Sequence, residues 1–243
     1  MSKVDFRAVS PYSDEHLNRN IEHARSLGLQ NVDELEHSGP IAVIGGGLSV
    51  MGYVETLRRW DGNLLAINGA WRWCRENGID AVFFSIDPNP IVAEMARGAD
   101  KAILAERCDP AAFSSASTTY LYSGTLGGCS SAGAAIIAGL KSGHTQVTLF
   151  GCEANYQQQR SHAYGNVKSQ HELIVKCCGM HFLTTPTLVM QARELAIMIL
   201  EAQGIVRETS GGFLRAMVNA NCEYDIVACT PGFEATLEPA DAA

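Results

Sequence analysis

One stretch, residues 41–49, limits the fold of this chain more than any other. Ile41-Ala-Val-Ile44 is a short apolar run that leads into three glycines and then Ser49. A segment whose apolar residues have helical spacing, 50–60, follows directly. This order is typical of a buried strand, a tight glycine turn and the start of a helix. The stretch therefore predicts one strand-to-helix unit of an α/β fold.

The glycine turn is also a candidate anion site. A turn of this kind exposes backbone N–H groups beside the positive end of a helix dipole, and both favour a bound phosphate. The turn has neither the G-x-G-x-x-G spacing nor the G-K-[ST] ending of a P-loop. A turn that only packs the helix against the strand explains the same sequence, so both interpretations stay open. The candidate phosphate-binding residues are Gly45, Gly46, Gly47 and Ser49.

Further apolar runs alternate with helical segments along the chain. They lie at residues 64–67, 81–86, 101–104 and 146–150. This alternation predicts a Rossmann-like α/β fold, a mostly parallel sheet with helices on both faces. Ligands of such sheets bind outside the carboxyl ends of the strands. Asn68, Asp87 and Glu153 follow three of the runs and are therefore candidate site residues, although turn or capping roles also explain Asn68 and Asp87.

A second glycine- and serine-rich entry to a helix begins near residue 127. Two glycines and two serines precede a segment of small and apolar residues that ends near Leu140. Close packing of helix on sheet explains the small residues but not the polar entry. We therefore count this helix start as a second candidate phosphate site, with donors from Gly127, Gly128, Ser130 and Ser131.

The segment after Phe150 is polar and aromatic. A loop of this composition at the carboxyl end of a strand is typical of a substrate or specificity loop. Its candidate substrate-contacting residues are Tyr156, Arg160 and Tyr164. His162 and His171 flank its end, and a histidine there can serve as a general base near neutral pH. A solvated or structural histidine is the alternative for either residue.

The flanking segments carry no predicted chemistry. Residues 1–38 are predicted to form a helical arm, with a helix capped by Ser13 that ends near Gly28. Residues 39–220 form the Rossmann-like domain, and residues 221–243 form an acidic tail predicted to be disordered. Within the domain, residues 168–178 are predicted as a helix and residues 114–120 as a loop. A long helix is predicted from a cap at Thr187 to Gln203.

Composition narrows the classes of function. The net charge of −8 argues against a broad nucleic-acid-binding surface. No apolar run approaches the roughly 20 residues that span a bilayer, so we expect no membrane insertion. Eight scattered cysteines without a C-x-x-C pair indicate reduced thiols and a cytoplasmic protein. The sequence allows an oligomer but does not specify one.

Several stretches together resemble one family in order and spacing, the 6-hydroxymethylpterin diphosphokinase MptE-like family, and in particular its bacteriophage members. The cytoplasm of a bacterial host is one compartment that this resemblance implies. The sequence departs from the family at Leu48, where proline is usual, and at Glu153, where aspartate is usual. The matching stretches are Gly45-Gly-Gly-x-Ser49, Ala66-Ile-Asn-Gly69, Ser85-Ile-Asp87, Gly127-Gly-Cys-Ser-Ser-Ala-Gly133, Leu149-Phe-Gly-x-Glu153 and Ser161-His-Ala-Tyr164.

The resemblance implies an enzyme that moves a pyrophosphoryl group from ATP to a pterin-like hydroxymethyl acceptor. The glycine turns and Asn68 would then bind the nucleotide donor, and His162 would deprotonate the acceptor. Mg²⁺ would be the cofactor, with Asp87 and Glu153 as its oxygen ligands, directly or through water.

Two other functions stay open. Related glycosyltransferases use a CMP- or UDP-sugar and a small-molecule or glycan acceptor, and they place a loop histidine as base. A nucleotide-binding module without catalysis is the other alternative, and the departures at Leu48 and Glu153 favour it.

Overall fold

A parallel sheet of seven strands forms the centre of the molecule, in the order β5-β4-β3-β2-β1-β6-β9. The computed structural model describes residues 11–124, 130–157, 160, 162–165 and 172–229. The strands are β1 (Pro40–Ile44), β2 (Asn63–Ile67), β3 (Val82–Ser85), β4 (Ala99–Ala105), β5 (Ala116–Tyr122), β6 (Gln146–Phe150) and β9 (Val206–Glu208). Each neighbouring pair is parallel. The predicted Rossmann-like α/β fold is confirmed.

The central strands are buried on both faces. Residues 41–44 of β1 and 83–85 of β3 are almost wholly shielded from solvent, as are Leu149 and Phe150 of β6. Strands buried on both sides read as continuous apolar runs in the sequence. This burial explains why the apolar runs located these strands well.

Helices connect the strands and pack against the sheet. They are α1 (Asp14–Ser26), α2 (Val54–Arg58), α3 (Gly69–Glu76), α4 (Ile91–Met95), α5 (Ser131–Lys141), α6 (Pro186–Glu201) and α7 (Gly212–Asn219). Short 3₁₀ segments span Val32–Glu34, Leu48–Tyr53 and Pro110–Ser114. The chain moves outward from β1 to β5 and then returns to β6 beside β1. Since parallel crossovers are right-handed, this reversal places α5 and α6 on the face opposite α2, α3 and α4.

A smaller antiparallel sheet contains β7 (Leu173–Cys177), β8 (Met180–Thr184) and β10 (Asp225–Cys229) in the order β10-β7-β8. Leu173, Val175 and Cys177 are buried, while Ile174 is 39% exposed. The hairpin between β7 and β8 turns at Cys178 and Gly179, both with positive φ (49° and 76°). β10 follows residue 220, so the ordered part of the chain extends beyond the predicted domain boundary.

Three predictions for single elements are wrong. The helix predicted at residues 168–178 is instead the strand β7 where the structure describes it, because its buried residues alternate with period two. The loop predicted at residues 114–120 largely belongs to β5, whose polar residues lie on the outermost strand of the sheet. Thr185 rather than Thr187 caps α6, since its hydroxyl accepts the Leu188 N–H (3.2 Å) and Pro186 occupies the first turn.

The N-terminal segment packs against the β4 and β5 end of the sheet. α1 begins after Ser13, whose hydroxyl accepts the His16 N–H as predicted. Arg25 of α1 forms a bidentate ion pair with Glu106 (3.0 and 3.1 Å). The Leu121 N–H donates to the Gln30 carbonyl (2.9 Å). Residues 1–10 and 230–243, which include most of the predicted tail, lie outside the described residues. In the described part of the chain, no helix combines the length and apolarity needed to cross a membrane.

Candidate functional site

The candidate site lies at the carboxyl edge of the parallel sheet, where β1 and β6 are neighbours. The chain leaves β1 toward β2 on one side and resumes at β6 on the other. In open α/β sheets this reversal of strand order opens a crevice in which ligands bind. The glycine turn follows β1, and Glu153 follows β6. The topology therefore brings together the two most informative stretches of the sequence.

The glycine turn after β1 is fastened to the segment after β6. The Gly45 N–H donates to the Phe150 carbonyl (2.7 Å), and the Gly47 N–H donates to the Gly151 carbonyl (2.8 Å). A Cβ atom on Gly45 would collide with the carbonyl oxygen of Gly151. Glycine is needed here because the two backbones approach so closely.

Glu153, which follows β6, contacts the start of the 3₁₀ segment Leu48–Tyr53 that follows this turn. It is 1% exposed, and its carboxylate accepts the Ser49 N–H (2.8 Å) and the Ser49 hydroxyl (2.6 Å). A Cβ atom on Gly47 would collide with the same carboxylate. The Glu153 carboxylate thus accepts from both donors of Ser49, one of the residues predicted to bind phosphate.

The second glycine- and serine-rich entry shows the same arrangement. Ser130 caps α5 by accepting the Gly133 N–H (3.0 Å) and donates its hydroxyl to Glu194 of α6 (2.6 Å). A Cβ atom on Gly133 would lie 2.7 Å from the Glu194 carboxylate. Ser131 is the first residue of α5. Gly127 and Gly128 lie outside the described residues.

These contacts bear on four of the residues in the two predicted phosphate sites. The N–H groups of Gly45 and Gly47 and the polar groups of Ser49 and Ser130 are engaged within the protein, so they do not present free donors. A phosphate group at this edge therefore needs other partners.

Asn68 follows β2 in a strained backbone conformation. Its φ is 49° and its ψ is −126°, a combination that favours glycine. Its N–H donates to the Phe84 carbonyl (3.0 Å), and its carbonyl accepts the Trp71 N–H (3.1 Å). The side-chain oxygen is buried and has no hydrogen-bond partner among the described residues. Strain and an unpaired buried acceptor in one residue are typical of a functional position.

The segment 162–165 covers the turns after β1 and β2. The Ala163 N–H donates to the Gly46 carbonyl (2.8 Å). A Cβ atom on Gly46 would lie 2.6 Å from both the His162 ring and the Tyr164 hydroxyl, and one on Gly69 would lie 2.6 Å from the Tyr164 ring. The centroids of the two rings are 5.0 Å apart, and the ring planes are tilted by 35°. Two glycines therefore make room for this pair of rings.

Burial changes the proton affinity of both rings. It lowers the pKa of His162 below the ordinary value of 6.5, so the imidazole is mainly neutral at pH 7. Although Tyr164 is 40% exposed, its hydroxyl faces Gly46, and desolvation raises its pKa to about 12. A neutral imidazole is able to accept a proton, as the predicted base must. His171, the alternative base, lies outside the described residues.

The backbones of the other two candidate loop residues bond to other segments. The Tyr156 N–H donates to the Leu183 carbonyl (2.8 Å) beside β8. Arg160 is exposed and its backbone pairs with that of Gln157 (2.9 and 3.0 Å). Of the three candidate loop residues, Tyr164 is the one that the structure shows against the turns after β1 and β2.

Asp87 and Glu153 do not form the predicted magnesium site. They follow β3 and β6, which are separated by β2 and β1. Three strand spacings amount to roughly 14 Å, whereas ligands of one Mg²⁺ ion lie about 2 Å from it. One oxygen of Asp87 accepts the Asn89 N–H (2.9 Å). Nor is a group of three histidine, cysteine or acidic side chains suited to a metal found anywhere in the described ranges.

Sequence reasoning missed two polar residues at the same edge. Arg107 follows β4, and its Nε donates to the Ile86 carbonyl at the end of β3 (2.8 Å). Tyr122 ends β5, and its buried hydroxyl has no hydrogen-bond partner in the part of the chain described. The available signal was the position of Arg107 shortly after an apolar run, as for Asn68 and Asp87.

No protein-family model matches the sequence, and no curated protein matches it.

Proposed function

We propose that this protein is a nucleotide-dependent transferase whose donor binds across the carboxyl ends of β1, β2 and β3. The reaction that we propose first is transfer of a pyrophosphoryl group from ATP to a hydroxymethyl acceptor of pterin type. The sequence resemblance to the MptE-like family motivates this choice of reaction. The geometry of the sheet edge supports the choice of site.

The observation that carries the proposal is the state of Asn68. Folding holds this residue in a strained conformation and leaves its buried side-chain oxygen without a partner. A bound nucleotide offers N–H and O–H donors on its base and ribose that would satisfy this oxygen. The strain would then be offset on binding rather than being a defect of the fold.

His162 is the proposed base. Its ring lies against the turn after β1, and burial keeps it neutral. In the proposed step, the acceptor hydroxyl gives its proton to His162 while its oxygen bonds to the β-phosphorus of ATP. The bond from that phosphorus to the oxygen bridging the α- and β-phosphates breaks, and AMP leaves. Positioning of the two reactants is the main contribution that such a reaction requires from the protein.

A second candidate is glycosyl transfer from a CMP- or UDP-sugar. The separation of Asp87 from Glu153 favours it, since sugar transfer of this type proceeds without two carboxylates on one metal ion. His162 would again take the proton of the acceptor hydroxyl. The oxygen would then bond to the anomeric carbon of the sugar, and the nucleotide would leave.

Thermal unfolding in the presence of nucleotides tests the proposal. The purified protein is heated with ATP, GTP, CMP or UDP, each with and without Mg²⁺. Stabilisation by ATP that depends on Mg²⁺ supports pyrophosphoryl transfer, and stabilisation by CMP or UDP without metal supports sugar transfer. If no nucleotide raises the unfolding temperature, the proposed function is wrong.

A His162→Ala variant separates an enzyme from a binding module. The readout is release of AMP from ATP with a hydroxymethylpterin as acceptor, or release of CMP or UDP from a nucleotide sugar. We expect nucleotide affinity close to that of the wild type and turnover reduced by about 10² to 10⁴. Unchanged turnover would exclude His162 as the base. Nucleotide binding without turnover in the wild type would favour the non-catalytic module.

A further inference from the structure

Arg107 presents a fixed and unpaired cation at the carboxyl edge of the sheet. The residue is half-buried. Its Nε donates to the Ile86 carbonyl (2.8 Å), which holds the guanidinium over the ends of β3 and β4. Within the described residues, its two terminal nitrogens have no hydrogen-bond partner. An arginine held in this way keeps the pair of parallel N–H donors that binds phosphate or carboxylate in a bidentate manner.

The neighbouring acidic group does not neutralise this cation. Glu106, the preceding residue, is buried and forms both of its contacts with Arg25 of α1 (3.0 and 3.1 Å). Asp87 follows β3 on the adjacent strand but forms no ion pair with Arg107 within 4 Å. The guanidinium therefore remains available to a ligand.

A buried hydroxyl lies at the end of the neighbouring strand β5. Tyr122 at the end of β5 is 2% exposed, and its hydroxyl has no partner among the described residues. β5 pairs with β4 so that Tyr122 lies opposite Ala105, two residues before Arg107. Burial raises the pKa of Tyr122 most, the charge of Asp33 raises it further, and the charge of Arg107 lowers it. Two adjacent strands thus end in polar groups whose bonding capacity is unused.

The engaged serines of the two glycine-rich turns leave a role for such a cation. Glu153 takes up the N–H and hydroxyl of Ser49, and Glu194 takes up the hydroxyl of Ser130. The Glu153 carboxylate contributes negative charge to the edge where an anionic nucleotide is proposed to bind. An anionic substrate therefore needs a positive group elsewhere on this edge. Arg107 follows β4, three strands from β1, and its bond to the Ile86 carbonyl brings its guanidinium to the end of β3, which borders the proposed donor site.

We infer that Arg107 binds an oxyanion group of the substrate, a phosphate of the nucleotide donor, at the carboxyl ends of β3 and β4. The site deepens the proposed function and rests on it. Its place differs from that predicted by the sequence, because the anion is held by an arginine after β4 and not by the glycine turn after β1. A carboxylate or phosphate on the acceptor has the same chemistry and is the alternative source of the anion.

The test compares Arg107→Gln with Arg97→Gln. Arg97 is exposed and precedes β4, whereas Arg107 follows the same strand, so the two variants lose equal charge at opposite edges of the sheet. Isothermal titration calorimetry measures the affinity for ATP, CMP, UDP and pyrophosphate, and for adenosine and cytidine as uncharged probes. We expect Arg107→Gln to weaken binding of the phosphate-bearing probe by about tenfold or more, with adenosine or cytidine unaffected. Arg97→Gln should bind like the wild type.

The possible outcomes separate this inference from the proposed function. If the wild type and Arg107→Gln bind a nucleotide with equal affinity, the inference is overturned and the proposed function stands. If pyrophosphate binds through Arg107 but no nucleotide binds, the inference stands, the anion is assigned to the acceptor, and the proposed function fails. Absence of binding to every charged probe overturns both. Should Arg107→Gln fail to fold, Arg107→Lys is measured instead, and an affinity equal to that of the wild type for every probe would contradict bidentate binding.

Discussion

At the scale of single residues, Asn68 shows how the fold and the site make opposing demands. Its positive φ costs free energy that glycine would not pay. We expect Asn68→Gly to raise the free energy of unfolding by about 1 kcal/mol and to weaken nucleotide binding about fivefold, the equivalent of one neutral hydrogen bond. Chemical denaturation and calorimetry measure the two effects.

The matched control is Asn221→Gly. Asn221 also has a positive φ (50°) and lies exposed in the turn after α7. This variant should leave nucleotide affinity unchanged. If Asn68→Gly binds nucleotide as tightly as the wild type, the side chain of Asn68 has no part in the site.

Glu153 is a second residue whose role the structure redefines. Its buried carboxylate joins the segment after β6 to Ser49, which lies 104 residues earlier in the chain. Hydrogen bonds to a buried charge are worth about 1.5–3 kcal/mol each in stability. We expect Glu153→Gln to lower the free energy of unfolding by about that amount. Glu55→Gln, which disrupts an exposed ion pair with Arg58, should change it by less than about 1 kcal/mol. Equal stability of the two variants would contradict a structural role for Glu153.

At the scale of elements, neighbouring glycines of the turn after β1 have different roles, one in packing and one at the candidate site. Gly45 faces the backbone of Gly151, whereas Gly46 faces the side chains of His162 and Tyr164. Gly45→Ala should therefore destabilise the protein by about 3 kcal/mol, because backbone cannot move aside easily. Gly46→Ala should cost about 1 kcal/mol or less in stability, but it should displace the two rings and reduce turnover. Denaturation curves and the donor-cleavage assay test this contrast, and a reversed order of stability would contradict it.

The elements also show what the sequence could predict. Runs buried on both faces, such as β1 and β6, are continuous in sequence and were located correctly. β7 alternates buried and exposed residues, and this pattern of period two was mistaken for a helix. The contacts of Glu153 with Ser49 and of Glu194 with Ser130 join side chains 104 and 64 residues apart. Local sequence patterns carry no information about such pairs. For this reason the sequence predicts the strand ends, whereas it does not predict the carboxylates that bind Ser49 and Ser130.

At the scale of the whole molecule, buried histidines make stability depend on pH. His144 is 4% exposed and contacts Asn63 (3.2 Å) and the Gly39 carbonyl (3.3 Å). Burial lowers the pKa of His144, as it does that of His162, below the ordinary value of 6.5. Below that value the unfolded chain binds more protons than the folded protein, so stability rises with pH through this window and levels off above it.

We expect the denaturation midpoint to fall when the pH is lowered from about 7.5 to about 5.5, and His144→Gln to reduce that difference. His37, which stacks on His144 (5.0 Å) and whose charge further lowers the pKa of His144, lies exposed. His37→Gln is therefore the control and should keep most of the dependence on pH. A midpoint in the wild type that does not change over this range would contradict burial of neutral histidines.

Hydrogen–deuterium exchange with and without nucleotide measures directly whether the carboxyl edge of the parallel sheet binds a nucleotide. With ATP, CMP or UDP at saturating concentration, we expect slower exchange in peptides that cover residues 44–50, 66–71 and 162–165. Peptides at the amino edge, such as residues 97–101, should be unchanged. Exchange that is unaffected at the carboxyl edge, or slowed only elsewhere, would contradict nucleotide binding at this edge.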